Sequence, residues 1–459
     1  MRNLIIFLFN LLLICALQKI FAQQLPRKGW LGAKLETVST ENYQALALKE
    51  PKGIKIVQVV GGTSKKLEML PDDVILSVDQ NYFAKPLLLS KYINSKTEGT
   101  SIEIEIARKG KTIKIKGKVT GRDRETDKNA AIIYESVPYK EGLLSVIINK
   151  PKKESKSPAV LFIPGYTCSS VDNLSENHPY GRIVRAFSDA GYVVLRVEKS
   201  GLGDSQNTPD CESTNLYDEI ESFTAGLNKL KSLPYVDTDN VFLFGHSMGG
   251  IVAPAIGAKN AVKGTIVYGT TTKSFFEYQL EMNRLQLMLA KPDPMEFERT
   301  CRLQTQIAYE YYIEKKDLKA IASSAERLEA LKKDWQYDGE NRIFDRNQEY
   351  WRQIMEIPLL DYWKDTTARV LVLYGGADYQ AFSKPDHEQI VYTVNYYHPN
   401  HAELLVFPET DHYLAKTLTR ENAYELFNTG KIQKLFDLFD FDVTQKSVEW
   451  ANKQLLIKN

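Results

Sequence analysis

The chain has 459 residues, 43% of them hydrophobic, with 59 basic against 58 acidic side chains and a formal net charge of +1. That balance supplies no basic stripe for a nucleic acid, so no nucleic-acid partner is expected, and the length leaves room for roughly two or three domains. Arg2 precedes an apolar stretch from Leu4 to Leu17, broken only by Asn10, and Ile20-Phe21-Ala22 then leads into Gln23-Gln24. A charged start, a short apolar core and a small residue before a polar run are the layout of a secretory signal peptide over 1–22, cleaved after Ala22. The apolar run is short for a bilayer-spanning helix, which needs roughly 20 residues; an uncleaved membrane anchor is the alternative. Ile14 before Cys15 does not fit a bacterial lipoprotein site, and no later stretch is apolar enough to span a membrane, so a secreted or periplasmic protein is expected.

Residues 26–120 carry short β-forming runs separated by glycine and charge. Ile54 to Val60 and Val74 to Asp79 read as strands, Leu87 to Ser95 as one short helix, and Ile102 to Ala107 with Thr112 to Lys118 as a hairpin about Lys109-Gly110. Gly29-Trp30-Leu31-Gly32-Ala33-Lys34-Leu35, the stretch Gly53 to Gly61, and Leu70-Pro71-Asp72-Asp73-Val74-Ile75-Leu76-Ser77-Val78-Asp79 together resemble a PDZ domain of the type attached to periplasmic heat-shock proteases. The resemblance implies that backbone amides around Trp30, Leu31 and Gly32 receive a peptide's C-terminal carboxylate, while Ala33 to Thr37 pair with the peptide as an added strand. The sequence departs from that pattern at Asp72, where glycine is usual, and at Lys65-Lys66-Leu67-Glu68, where small residues are usual. A domain that only orients or shields its neighbour fits the same residues.

Gly121 to Lys128 is polar and charged, and 121–129 reads as a linker. An antiparallel pair follows, Ile132 to Val137 and Leu143 to Ile148, joined by Tyr139-Lys140-Glu141-Gly142. Strands and helices then alternate: strand 159–163, helix near 180–190, strand 192–197, helix near 216–231, strand 241–244, helix 249–258, strand 264–268. Alternation resumes with Ala368 to Tyr374 and ends with the strand Glu403 to Phe407 and a C-terminal helical region, which predicts a mainly parallel sheet wrapped by helices over 130–459. Between Thr271 and Asp365 there is a single glycine, Gly339, and helical spacing over Phe297 to Tyr312 and Lys316 to Lys333, which predicts an inserted helical cap at about 271–365. Its aromatics Phe275, Phe276, Tyr309, Tyr311, Tyr312, Trp335 and Trp351 are candidates for an acyl pocket, although helical spacing more often marks packing residues.

The apolar run Val241-Phe242-Leu243-Phe244 feeds directly into Gly245-His246-Ser247-Met248-Gly249. A strand that ends in G-x-S-x-G before a small-residue helix is a nucleophile elbow, and Pro254 requires its helix to hold it in the first turn or to kink. A serine hydroxyl needs a base, and the base needs a third group to hold its tautomer. His246 faces the wrong way, His178 lies early, and His387, His398 and His401 precede the last strand; His412, in the loop Pro408 to Tyr413 after it, reaches the edge where Ser247 stands. Asp378, in Tyr374-Gly375-Gly376-Ala377-Asp378, follows the penultimate strand and is the expected acid, with Asp411, Asp386 and Glu409 as competitors.

The order Ser247, Asp378, His412 is similar to that of the α/β-hydrolase superfamily, which 130–459 resembles. Phe162-Ile163-Pro164-Gly165-Tyr166 resembles the superfamily's oxyanion turn; the match implies that the amides of Tyr166 and Met248 form the oxyanion hole, with the Tyr166 hydroxyl as an alternative contributor or a plain wall. Arg196 to Ser205 resembles the R-x-D-x-R-G-x-G-x-S turn of esterases and lipases, departing at Glu198 and at Lys199-Ser200. Gly201-Leu202-Gly203 is no dinucleotide fingerprint, since a third glycine at the required spacing is absent.

Cys168 and Cys211 follow the strands 159–163 and 192–197, so both lie on loops at one sheet edge, and a disulfide between them is weighed against three reduced, buried cysteines. Cys301, in a helical stretch, is expected in a core. The whole reads as a secreted serine hydrolase that cleaves small carboxylic esters through an acyl-enzyme, without metal or organic cofactor. Peptidase or amidase, and thioesterase or acyltransferase, are the enzymatic alternatives; a peptide-binding protein with an inactive hydrolase fold is the non-enzymatic one.

Overall fold

In the computed structural model residues 24–457 are described; the expected signal peptide and Cys15 lie outside them. The chain divides into two compact units, one formed by Leu25–Thr126 and the other by the chain from Asp127. No helix among the described residues is long and apolar enough to cross a membrane.

The first unit contains β1 (Ala33–Thr37), β2 (Ile54–Val59), α1 (Gly62–Lys66), β3 (Val74–Val78), α2 (Pro86–Asn94), β4 (Ser101–Arg108) and β5 (Lys111–Lys118). Its strands form an antiparallel sheet in the order β1-β2-β3-β4-β5. Alternation in β4 turns Ile102, Ile104 and Ile106 inward, where they pack with Ile56, Leu89 and Ile93. Asp72, at the position where the PDZ pattern has glycine, adopts φ 68°, a left-handed conformation that aspartate tolerates better than most side chains. The adjoining Asp73 is buried and accepts two 2.7 Å bonds from the Arg108 guanidinium, so the turn is fixed by an internal ion pair.

The strands of the second unit are β6 (Ala130–Tyr139), β7 (Gly142–Pro151), β8 (Ser157–Ile163), β9 (Val193–Val197), β10 (Val236–His246), β11 (Gly264–Tyr268), a short pair β12 (Arg342–Ile343) and β13 (Arg346–Asn347), then β14 (Arg369–Gly375) and β15 (Ala402–Phe407). All but the short pair join one sheet in the order β15-β14-β11-β10-β8-β9-β7-β6, antiparallel through β6, β7 and β9, parallel elsewhere. Helices α3 (Pro179–Asp189), α4 (Leu216–Ser232) and α5 (Gly249–Gly257) connect the parallel strands from β8 to β11. Both faces of the central strands β8, β9, β11 and β14 are buried, which is why these strands read as continuous apolar runs. In β8, Ala159, Leu161 and Ile163 face a core shared with Phe223 of α4 and Ile251 of α5, while Val160 and Phe162 face Ile183 and Phe187 of α3. Pro254 lies inside α5 without ending it.

Between β11 and β14 stands the cap: α6 (Phe275–Ala290), α7 (Pro294–Ala308), α8 (Leu318–Ile321), α9 (Ala325–Asp334), α10 (Gln348–Glu356) and α11 (Leu359–Asp365). Side-chain caps start all of these helices except α11, among them Ser274 with Glu277 in a reciprocal capping box, Asp293, Ser324 and Asn347. The cap is not wholly helical as its sequence spacing predicts, because β12 and β13 form a hairpin within it. The turn residues Phe344 and Asp345 both have positive φ, 47° and 58°, the two-residue geometry normally marked by Asn-Gly and so invisible to turn chemistry here. After β14 come α12 (Lys384–Tyr397) and, beyond β15, α13 (Arg420–Asn428), α14 (Ile432–Asp437) and α15 (Phe441–Leu455). A mainly parallel sheet with helices on both faces and a cap inserted after β11 is the α/β-hydrolase architecture.

Candidate active site

β10 ends at His246, and Ser247 adopts φ 55°, a left-handed conformation that costs a non-glycine residue about 1–2 kcal/mol. The turn is held by the Ser247 amide donating to Tyr268 O (2.9 Å) and the Gly250 amide donating to Ser247 O (2.8 Å). A side chain at Gly245 would strike the Gly249 carbonyl, and one at Gly249 would strike that of Ile163, so the spacing of the two glycines is a steric requirement of the elbow.

Ser247 Oγ lies 2.9 Å from His412 Nε2, and His412 Nδ1 lies 2.8 Å from Asp378 Oδ2. A carboxylate only accepts, so Nδ1 carries the proton and Nε2 is free to take one from serine. Asp378 is fully buried, and its other oxygen accepts the amides of Gln380 (2.7 Å) and Ala381 (2.8 Å). Burial pushes its pKa up, but His412 and those two amides outweigh burial and leave it below the ordinary carboxylate value. For His412, burial pulls the pKa down, and the adjacent Asp378 charge and bond more than reverse that, leaving it above the usual 6.5.

Of the competing acids, Glu409 is exposed, and Asp411 and Asp386 are engaged elsewhere. Asp411 Oδ1 accepts the amides of Tyr413 and Ala415, both at 2.9 Å, and shapes the His412 loop. Burial, with Asp378 nearby, pushes its carboxyl up to about 7. Asp386 accepts from Thr271 and Ser383, both at 2.6 Å. His178 caps α3, and His387 Nδ1 donates to Ser383 O at 2.8 Å.

His246 has a more specific place than the sequence indicates. Its Nε2 donates to His412 O (2.8 Å), so its Nδ1 accepts from the Tyr180 hydroxyl (2.9 Å), and that hydroxyl accepts the Gly165 amide (3.2 Å). One chain of bonds therefore ties the turn after β8 to the backbone of His412. Burial pulls the His246 pKa down to about 3 and keeps the ring neutral. Tyr180 carries no motif, and this link was not legible in the sequence.

Gly165 lies against the serine: a Cβ there would be 3.3 Å from Ser247 Cβ. Among the described residues no backbone acceptor takes the amide of Tyr166 or of Met248. The Tyr166 ring packs edge-on against Trp351 with centroids 5.4 Å apart. Glu198, a departure from the esterase turn, is buried and accepts from Ser170 Oγ (2.5 Å) and the Val171 amide (3.3 Å), tying that turn to the loop after β8. Cys168 and Cys211 are joined by a disulfide with Cα atoms 5.7 Å apart, while Cys301 is free and buried.

A cavity of about 580 Å³ opens at Ser247 and His412. Of the seven cap aromatics singled out in the sequence, Phe275 and Trp351 line it; Tyr311, Tyr312 and Trp335 belong to the cap core. Tyr278 of α6 and Phe344 of the β12–β13 turn, neither singled out in the sequence, also line it.

In the first unit the proposed carboxylate loop is partly engaged. The Trp30 amide donates to Thr120 O (2.9 Å) and is not available to a peptide, which corrects the expectation for that residue. The carbonyls of Trp30, Leu31 and Gly32 accept from Thr63, Ser64 and Val60 respectively, which orients the loop.

The profile of the family described as serine aminopeptidase, S33, matches residues 160–415, more than half of the chain, from within β8 to just past the His412 loop. The chain belongs to this family. Esterase EstD of Thermotoga maritima is 20% identical over 289 residues, 62% of this chain and 62% of its own length. A probable periplasmic serine endoprotease of the DegP type from Bartonella henselae is 29% identical over 102 residues, 22% of this chain. The chain thus spans only 20% of that protease's length and less than two thirds of the esterase's. Among solved structures, Est1E from Butyrivibrio proteoclasticus is 16% identical, with 72% of this chain and 100% of that one covered and a TM-score of 0.43.

Two outcomes are expected from these contacts. Asp411→Asn keeps the acceptor for both amides and removes a carboxyl whose native pKa, about 7, lies above its ordinary 3.8; the native form prefers it protonated, so wild-type stability falls as pH rises toward and through 7. The Tm advantage of Asp411→Asn should therefore be larger at pH 8 than at pH 5, and an advantage that shrinks with pH contradicts the assignment. Cys168→Ser should cost roughly 2–4 kcal/mol in denaturant unfolding and expose one new thiol, at Cys211.

Proposed function

We propose that the protein is a secreted or periplasmic serine hydrolase that cleaves carboxylic esters. The observation that carries this reading is the continuous relay from Ser247 Oγ through His412 to Asp378, at 2.9 and 2.8 Å. His412 takes the serine proton as Oγ attacks the ester carbonyl, and the amides of Tyr166 and Met248 hold the developing oxyanion. Collapse expels the alcohol, which takes the proton back from His412. Water then repeats the sequence and releases the acid.

An ester is favoured over a peptide with a free amino terminus. Holding a substrate ammonium calls for a carboxylate in the cavity, and among the described lining residues Asp334 is the one carboxyl. It already accepts from Gln304 at 2.5 Å, and burial pushes its pKa up. The esterase name of the Thermotoga maritima relative supports the same reading. The disulfide and the signal-like segment 1–22 support an oxidising location. The first unit is read as a PDZ domain, with β1 at the sheet edge offering a strand to a peptide and the amides of Leu31 and Gly32 left for its carboxylate.

The test is turnover of p-nitrophenyl acetate, butyrate, octanoate and palmitate by the chain from Gln23 and by Ser247→Ala, with fluorophosphonate labelling in parallel. Ser247→Ala should lose roughly 10⁴-fold or more in kcat with unchanged folding. Labelling without ester turnover would turn the reading toward amide or thioester substrates, and silence in both would favour a binding protein. Because the base must be neutral and its pKa is raised, the acid limb of kcat/KM should lie above the ordinary histidine value of 6.5. Asp378→Asn should cost roughly 10⁴-fold, whereas Asp411→Asn should be mild; the reverse order would reassign the acid.

A further inference from the structure

Directly behind the turn after β8 lies a buried ionic cluster that the hydrolytic steps do not use. Lys199 follows β9, Glu219 belongs to α4 and Arg346 to β13 of the cap, and all three are at most 3% exposed. Lys199 Nζ sits 3.0 Å from Glu219 Oε1, Arg346 Nη2 sits 2.8 Å from Glu219 Oε2, and the Tyr350 ring lies 3.9 Å from the guanidinium. Two cations thus share the Glu219 carboxylate directly, an arrangement that is expensive to bury unless the remaining donors are engaged.

Two of those donors reach the turn after β8, while Arg346 Nη2 also donates to Thr214 O at 3.3 Å. Lys199 Nζ donates to Gly165 O at 2.6 Å, and Arg346 Nη1 donates to Tyr166 O at 2.7 Å. These carbonyls belong to the two peptide planes on either side of Tyr166. The first plane also contains the Tyr166 N–H. Among the described residues no peptide is cis, and in a trans peptide the C=O and N–H point in opposite directions. Fixing the Gly165 carbonyl on the ammonium therefore fixes the direction of the Tyr166 N–H. An ammonium on the carbonyl also draws charge through the amide and makes its N–H a stronger donor.

We infer that Lys199 and Arg346 are positioning residues for the oxyanion hole, with Lys199 orienting and polarising the Gly165–Tyr166 peptide and Arg346 locking the next one from the cap. The inference rests on the oxyanion role given to the Tyr166 amide above. It also means that the cap contributes to catalysis as well as to the cavity, since the oxyanion turn is complete only when the hairpin carrying Arg346 is seated against Glu219.

The test compares wild type, Lys199→Met, Lys199→Arg and Arg346→Met as full secreted chains, with p-nitrophenyl butyrate as substrate and a trifluoromethyl ketone as inhibitor. The ketone accepts Ser247 Oγ and becomes a tetrahedral oxyanion, so it reports the hole directly. Lys199→Met leaves Glu219 and Arg346 as a balanced pair; its kcat should fall roughly 10- to 100-fold with KM within about twofold, and ketone affinity should fall by a similar factor. Lys199→Arg, which keeps a charged donor, should recover part of both. Arg346→Met leaves the Lys199–Glu219 pair and should shift kcat and ketone affinity in the same direction, which keeps the comparison available if Lys199→Met does not fold. A folded variant with wild-type kcat, or one whose kcat falls while ketone affinity holds, overturns the inference. Wild type that neither labels with fluorophosphonate nor turns over esters defeats the serine-hydrolase reading itself, and the positioning role falls with it.

Discussion

Parallel register at the carboxyl edge of the sheet is the constraint on which the other placements depend. Ile163 pairs with Gly245, His246 with Tyr268, Tyr268 with Leu373, and Gly375 with Phe407, so five strands end side by side at one edge of the sheet. Tyr166, Ser247, Asp378 and His412 each leave the sheet a few residues beyond that edge. A one-residue slip in any strand would turn its buried side chains to the opposite core and displace its loop from the site. The two apolar cores on the faces of the sheet therefore hold the geometry of the site as well as the fold.

Around that edge, burial sets the charge state of each group. His412 and Asp378 are both buried, yet each stabilises the charged form of the other. His246, equally buried but bonded to a carbonyl and a phenol, remains neutral and serves as a fixed connector. Asp411 is next to His412 in sequence but has no cationic partner within bonding distance among the described residues, and burial drives its carboxyl toward the neutral form. The same low-polarity setting strengthens the contacts of Lys199 and Arg346 to the two carbonyls flanking Tyr166.

Much of this arrangement is legible in the sequence, because the relevant signals are local. A strand running into Gly245-His246-Ser247-Met248-Gly249, and loops following the last two strands, bring the serine, acid and histidine to one edge by strand order alone. Contacts between distant segments left no local trace. Arg346 and Glu219 are 127 positions apart, and Lys199 stands out in the sequence only as a departure from the esterase turn, with nothing nearby to indicate its partners. The cap hairpin was hidden because Phe344 and Asp345 take left-handed conformations without the usual asparagine or glycine. Cap aromatics recur with the same spacing whether they pack or line a cavity, so Trp335 and Trp351 differ only in the structure. In the first unit the motif did not reveal that the Trp30 amide is already bonded to Thr120.

The most direct test of a covalent serine mechanism is to catch the intermediate. Turnover of p-nitrophenyl butyrate is stopped by rapid acid quench, and the digested protein is mapped by mass spectrometry. A single butyryl group on the peptide containing Ser247, appearing within the first turnover and decaying as substrate is exhausted, is the predicted result. Ester turnover that proceeds with no acyl adduct, or with the adduct on another residue, would contradict the account.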